Sequence, residues 1–189
     1  MSGGAGRPPP PGRGSSAAQR PRGRPRTAAR VAAVQALYQG ECTGEPAEAV
    51  IDQFIRHRFG ALPEPGGYPM GFEEGRVPEA DVPLFAAIVR KAATNAETVD
   101  GLVAGHLDRD WPMARLDPVL RALLRAACAE LWGGADPPAR VVINEYLDIA
   151  HGFFGGEEPR FANGVLDALA RTLRPEELTN PAPGRRAGG

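Results

Sequence analysis

Residues Asp136 to Arg174, DPPARVVINEYLDIAHGFFGGEEPRFANGVLDALARTLR, read as two helices joined by a glycine hinge. Asp136 suits the cap of the first helix and Pro137 its first position. Val141, Ile143, Tyr146, Leu147 and Ala150 recur at roughly helical spacing. Gly155 and Gly156 are placed to end that helix, because glycine takes positive φ at little cost. Glu157 and Glu158 favour a helix N-terminus, and Pro159 opens the second helix. Its stripe is Phe161, Val165 and Leu169, with Leu166 and Leu173 beside it. Some residues here are not what packing alone selects. Asn144 and Glu145 sit inside an apolar run, and Asn163 with Gly164 interrupts a good helix. Packing predicts that the two asparagines tie neighbouring helices through buried hydrogen bonds. Glycine inside a helix costs ~1 kcal/mol relative to alanine, so Gly164 predicts a close neighbour.

Upstream, Asp117-Pro118 is a good cap and first-turn pair for a helix striped by Leu120, Leu123, Leu124, Ala127 and Leu131. Arg125 and Glu130 flank that stripe and read as ion pairs at the core edge, and Gly133-Gly134 ends it. Ala80 to Leu107 reads as one long helical region capped by Asp81, and 108–115 as a connector holding Trp111 and Pro112. Residues 61–77 are rich in Gly and Pro and read as a long loop. Glu45 to Phe59 is a shorter helix with Val50, Phe54 and Ile55 inward. Before it, a helix begins near Arg26, with Val31, Val34, Leu37 and Tyr38 sharing a face and Gly40 to Gly44 ending it. No segment alternates as a strand does, so the fold class is all-α.

Of 189 residues, the first 40 hold seven arginines and no acid, whereas 41–189 hold 15 basic and 23 acidic residues, a net of −8. A basic arm on an acidic body points to an anionic partner. Residues 1–20 lack apolar side chains for a core and read as a disordered Arg/Gly/Pro-rich tail. The helical domain then covers 21–175, and 176–189 reads as a flexible C-terminal tail. No apolar run approaches a membrane span, and nothing resembles a secretory signal. Cys42 and Cys128 are far apart and read as reduced core thiols of a cytoplasmic protein. His57, His106 and His151 lack metal-ligand spacing. No nucleophile motif, phosphate cradle or zinc spacing occurs, which leaves a binding module: no enzyme, no cofactor, no catalytic residue, no metal.

Val142-Ile143-Asn144-Glu145, followed by Phe161-Ala162-Asn163-Gly164-Val165-Leu166-Asp167, resembles the C-terminal signature of the NusB family of transcription antitermination factors. Arg30 to Tyr38 (RVAAVQALY) resembles that family's first helix. Ala93-Thr94-Asn95 with Val99-Asp100, and Leu123-Leu124-Arg125 with Ala129-Glu130-Leu131, are similar to two further helices. The resemblance runs from about Arg24 to Arg174. It implies a bundle of about six to seven helices in two packed helical subdomains. It implies binding of boxA RNA on nascent ribosomal transcripts together with NusE, a small-subunit ribosomal protein, inside the RNA polymerase antitermination complex. Carried onto this chain, it implies RNA contact by Arg26, Arg30 and Tyr38, joined by Arg22 and Arg24 of the arm. Glu158, Arg160, Phe161 and Asn163 fall in its RNA- and partner-contacting segment. The chain departs from the family in the thinned arginine run (Thr27, Ala28 and Ala29 lie between Arg26 and Arg30), the long 61–77 loop, Ala162 in place of a larger aliphatic residue, and a short turn at Glu157 to Arg160. The alternatives are a homodimeric helical scaffold using the same face, and a remnant of the NusB-like domain of a ribosomal RNA cytosine methyltransferase. The second is disfavoured by the lack of a cofactor-binding domain before Gly189.

Overall fold

The computed structural model describes residues 25–59 and 80–179. The 1–20 tail, Arg22, Arg24, the 61–77 loop and the last ten residues lie outside the described residues. Eight α-helices and one 3-10 turn make up the described chain: α1 (Pro25–Thr43), α2 (Ala47–His57), α3 (Val82–Thr94), α4 (Ala96–Ala104), the turn Met113–Arg115, α5 (Pro118–Leu131), α6 (Ala139–Phe153), α7 (Glu158–Leu173) and α8 (Pro175–Thr179). α1 packs on α2, α3 and α5, and α5 in turn packs on α3, α4, α6 and α7, so α5 is the helix around which the others gather. None of the described helices is long and apolar enough to cross a membrane.

The helix count exceeds the sequence expectation for two reasons. The long region after Ala80 breaks at Asn95, whose backbone leaves the helical range and whose Nδ2 donates to the Lys91 carbonyl at 2.9 Å. Residues 175–179 form α8 instead of belonging to a flexible tail. The reason is tertiary. Glu177 Oε2 accepts the Ala139 N–H at 2.6 Å, and Leu178 packs against the core. That bond also corrects the reading of Asp136 as the α6 cap. α6 starts at Ala139, and the carboxylate that satisfies its first N–H comes from α8.

Local caps elsewhere are as the sequence predicts. Asp81 Oδ1 accepts from Leu84 N at 3.0 Å, and Asp117 Oδ1 from Val119 N at 2.8 Å. The two glycines after α6 do not take positive φ; α6 simply runs into extended Phe154. Positive φ falls at Gly44 and Gly134, which end α1 and the turn after α5.

The buried face of α1 is rotated from the expected one. Ala29, Ala32, Ala33 and Ala36 are sealed together with Val34, while Val31 and Leu37 are half-buried and Tyr38 is exposed. Small side chains let α1 lie close against α3 and α5, which bulky ones would hold away. The expectation of two core thiols is met at buried Cys128 and not at Cys42, which is exposed. In α2, Ile51 points inward in place of Ile55. Phe54 stacks on Phe85 at 5.4 Å between ring centroids, and Phe59 closes edge-on at 4.8 Å.

Candidate nucleic-acid interface

The start of α1 carries the two arginines singled out by sequence, one turn apart, and they differ in burial. Arg26 is exposed. Arg30 is only 2% exposed, which removes it from any surface that touches RNA. Its Nη2 donates to Glu130 Oε1 at 2.6 Å and its Nε to Glu130 Oε2 at 2.9 Å, a two-pronged pair between α1 and α5. Its Nη1 donates to Glu145 Oε2 at 3.1 Å, and the Thr27 hydroxyl donates to the same oxygen at 2.6 Å. Glu145, the acid of the Ile-Asn-Glu run, is therefore the α6 anchor for the start of α1. Wholly buried Tyr146 lies against the pair. Burial first, then Glu130, pushes its hydroxyl well above the usual value, and it stays a neutral phenol. Glu130 had read as an edge residue; its deep burial reflects a partner 100 residues earlier.

One stripe of α1 runs from half-buried Thr27, Val31 and Gln35 to exposed Tyr38 and Cys42. Tyr38 stands beside Cys42 and in the field of Asp117, which together raise its hydroxyl pKa. Asp117 leads to a cleft of about 280 Å³ lined by Trp111, Leu116, Leu120, Glu157, Glu158 and Phe161. Its lining combines four apolar side chains with three carboxylates, of which Glu158 is half-buried with Oε2 sealed from solvent. Trp111 is 56% exposed and was not picked out by sequence as a site residue. The signal available was an aromatic in a connector with no helical stripe to pack on.

α7 divides its four sequence-predicted residues. Glu158 and Phe161 line this cleft. Arg160 joins Phe161, His106 and Gly164 in a shallower groove alongside, pairing with Glu157 at 3.5 Å where both are solvent-exposed. Asn163 lies elsewhere, in a groove shared with Asn144. Both asparagines are exposed and have no hydrogen-bond partner among the described residues, so neither forms the buried bridge that packing predicts. Gly164 likewise has open space where a Cβ would stand, so no described part of this chain is its close neighbour.

A second ionic cluster holds the other end of α1. Glu41 binds Arg121 and Arg125 of α5, and Arg125 also grips Asp100 of α4 through Nε at 2.6 Å and Nη2 at 2.7 Å. Arg125 thus sits at the core edge as its flanking position predicts. Among the described residues no cluster of His, Cys, Asp and Glu is arranged to hold a metal ion.

A family model for NusB matches residues 27–171. The chain belongs to the NusB family. It is similar to the transcription antitermination protein NusB of Granulibacter bethesdensis, 64% identical over 83% of this chain and 94% of that protein. To the corresponding protein of Gluconobacter oxydans it is 51% identical over 80% of this chain and 89% of that one. Among solved structures, Thermotoga maritima NusB aligns with a TM-score of 0.63 and 26% identity, over 83% of this chain and 99% of that chain. A NusB solved with NusE and double-stranded RNA shares the fold, with a TM-score of 0.58 and 24% identity over 77% of this chain and 96% of that chain. The NusB family is one of transcription antitermination factors and is not enzymatic, and the all-helical architecture of this chain is its fold.

Proposed function

We propose that this NusB-family chain acts in the cytoplasm, binding boxA RNA of nascent ribosomal transcripts jointly with NusE, and thereby helps RNA polymerase in the antitermination complex pass sites of premature termination. The observation that carries the RNA part is the exposed first turn of α1. Arg26 there continues the charge of Arg20, Arg22 and Arg24 in sequence, and exposed Tyr38 lies further along the same helix. Charge for the backbone with an aromatic surface for a base is the usual composition of a single-strand site. Arg30 has a different part: buried on Glu130 and Glu145, it fixes the direction of the turn that presents Arg26.

The Trp111–Phe161 cleft suits a protein better than RNA. Asp117, Glu157 and Glu158 in its lining repel phosphates, and they favour an apolar side chain flanked by basic residues. Ribosomal proteins supply that chemistry, so the cleft is the proposed seat of NusE. The test is fluorescence anisotropy of labelled boxA RNA across a salt series with NusE present. Each phosphate contact on a single strand contributes about 0.7 to the slope of log affinity against log salt. Replacing Arg22, Arg24 and Arg26 by alanine is expected to flatten that slope by about two units. Phe161→Asp is expected to weaken assembly with NusE and leave the slope of RNA binding unchanged. A triple variant that keeps the wild-type slope overturns the RNA surface, and a Phe161→Asp protein that still binds NusE normally overturns the cleft.

A further inference from the structure

A groove of about 760 Å³ runs along the α6–α7 hairpin and shares no lining residue with the Trp111–Phe161 cleft. Arg140, Ile143 and Asn144 line it from α6, and Asn163, Asp167 and Arg171 from α7. Pro175 and Leu178 of α8 complete the lining. Arg171 is held by Asp167 at 2.6 Å, whereas Arg140 has no carboxylate partner among the described residues. Two guanidinium groups thus face one carboxylate, a cationic groove on a body whose 41–189 segment is net −8. The two asparagines that interrupt apolar sequence both line this groove, one from each helix, exposed and without a hydrogen-bond partner among the described residues.

A carboxamide is both donor and acceptor, the complement of one peptide unit. Two of them, one apolar contact at Ile143 and another at Leu178, and an unpaired guanidinium match an extended polypeptide carrying acidic residues. Single-stranded nucleic acid fits less well, because no aromatic lines the groove to stack a base. The chain's own last ten residues carry Arg185 and Arg186 and no acid, so their charge does not complement it. We propose that the α6–α7 groove docks an extended acidic segment of a partner protein, with Arg140 holding a carboxylate and Asn144 and Asn163 holding the backbone. This site is independent of the RNA surface on α1.

The experiment follows the side-chain amide resonances of Asn144 and Asn163 in nitrogen-15 correlation spectra of the full chain. Three probes are titrated: a pool of terminally blocked decapeptides with Asp or Glu at alternate positions, a matched pool with Lys or Arg there, and RNA decamers of mixed sequence. The acidic pool is expected to shift both amides saturably, and the basic and RNA pools to leave them in place. Arg140→Glu, at an exposed position, is expected to weaken the acidic pool at least about tenfold, the worth of one charge-assisted hydrogen bond. The proposal is overturned if the acidic pool leaves both amides unmoved up to about millimolar concentration. It is equally overturned if RNA moves them, or if Arg140→Glu binds as the wild type does.

Discussion

Both ends of α1 are fastened by arginine–carboxylate clusters, and the two clusters differ in what water can reach. Near the start Arg30 and Glu130 have side chains 3% and 5% exposed; at the last turn Glu41 and Arg125 are 28% and 23% exposed. A buried pair cannot lose one member without stranding the other in a medium that solvates it poorly. At the half-exposed cluster, water takes over whatever a missing partner leaves. Charge near the start of α1 therefore has two unrelated jobs. Arg26 belongs to the solvent and whatever anion approaches through it, and Arg30, one turn on, belongs to the core.

The largest effect expected from this contrast is at Arg30. Arg30→Ala leaves Glu130 buried and unpaired and is expected to cost about 3–5 kcal/mol in chemical denaturation. Arg30→Met combined with Glu130→Met removes both charges and is expected to recover most of that loss, since well-packed apolar pairs replace buried ion pairs at little cost. A double variant as unstable as the single one would mean that the pair contributes more than mutual neutralisation.

Thr27→Ala comes next. It deletes one hydrogen bond to Glu145 that links α1 to α6, and is expected to cost roughly 1 kcal/mol. No change in the denaturation midpoint would show that Arg30 alone seats Glu145.

The other end of α1 should respond to pH and only weakly to mutation. The hydrogen bond from Arg121, aided by Arg125 and opposed by burial, holds the Glu41 carboxyl below its ordinary value. A depressed carboxyl pKa stabilises the fold above the unfolded pKa of about 4.3, and that contribution is lost as pH falls through the lower folded value. Glu41→Gln is therefore expected to cost at most about 1 kcal/mol at neutral pH, with the difference from wild type shrinking under acid. A difference that grows as pH falls would contradict the assignment.

What the sequence displayed of these features follows the range of the interaction behind each. Asp81 and Asp117 cap residues two and three positions away, so a local pattern sufficed to find them. The family motifs carried the all-helical fold as well. The start of α6 was misplaced because its cap, Glu177, lies 38 residues downstream. The inner face of α1 was misplaced because alanine scores weakly as a core residue, although close helix contact selects it. Arg30 looked like a continuation of the basic arm because its carboxylates are 100 and 115 residues away in sequence. Asn163 and Phe161 stood two positions apart in one motif, yet two positions on a helix point to different faces, and the structure gives them different grooves.

The central claim is that the core arginine and the surface arginine of α1 act separately, and one measurement compares them directly. It is the salt dependence of boxA RNA binding, with NusE present, for Arg26→Ala and for the Arg30→Met, Glu130→Met double variant. Arg26→Ala is expected to flatten the log–log slope by about 0.7, the share of one phosphate contact, at unchanged stability. The double variant is expected to keep the wild-type slope. A double variant that loses the same 0.7 while folded, or an Arg26→Ala protein that loses none, would contradict the account.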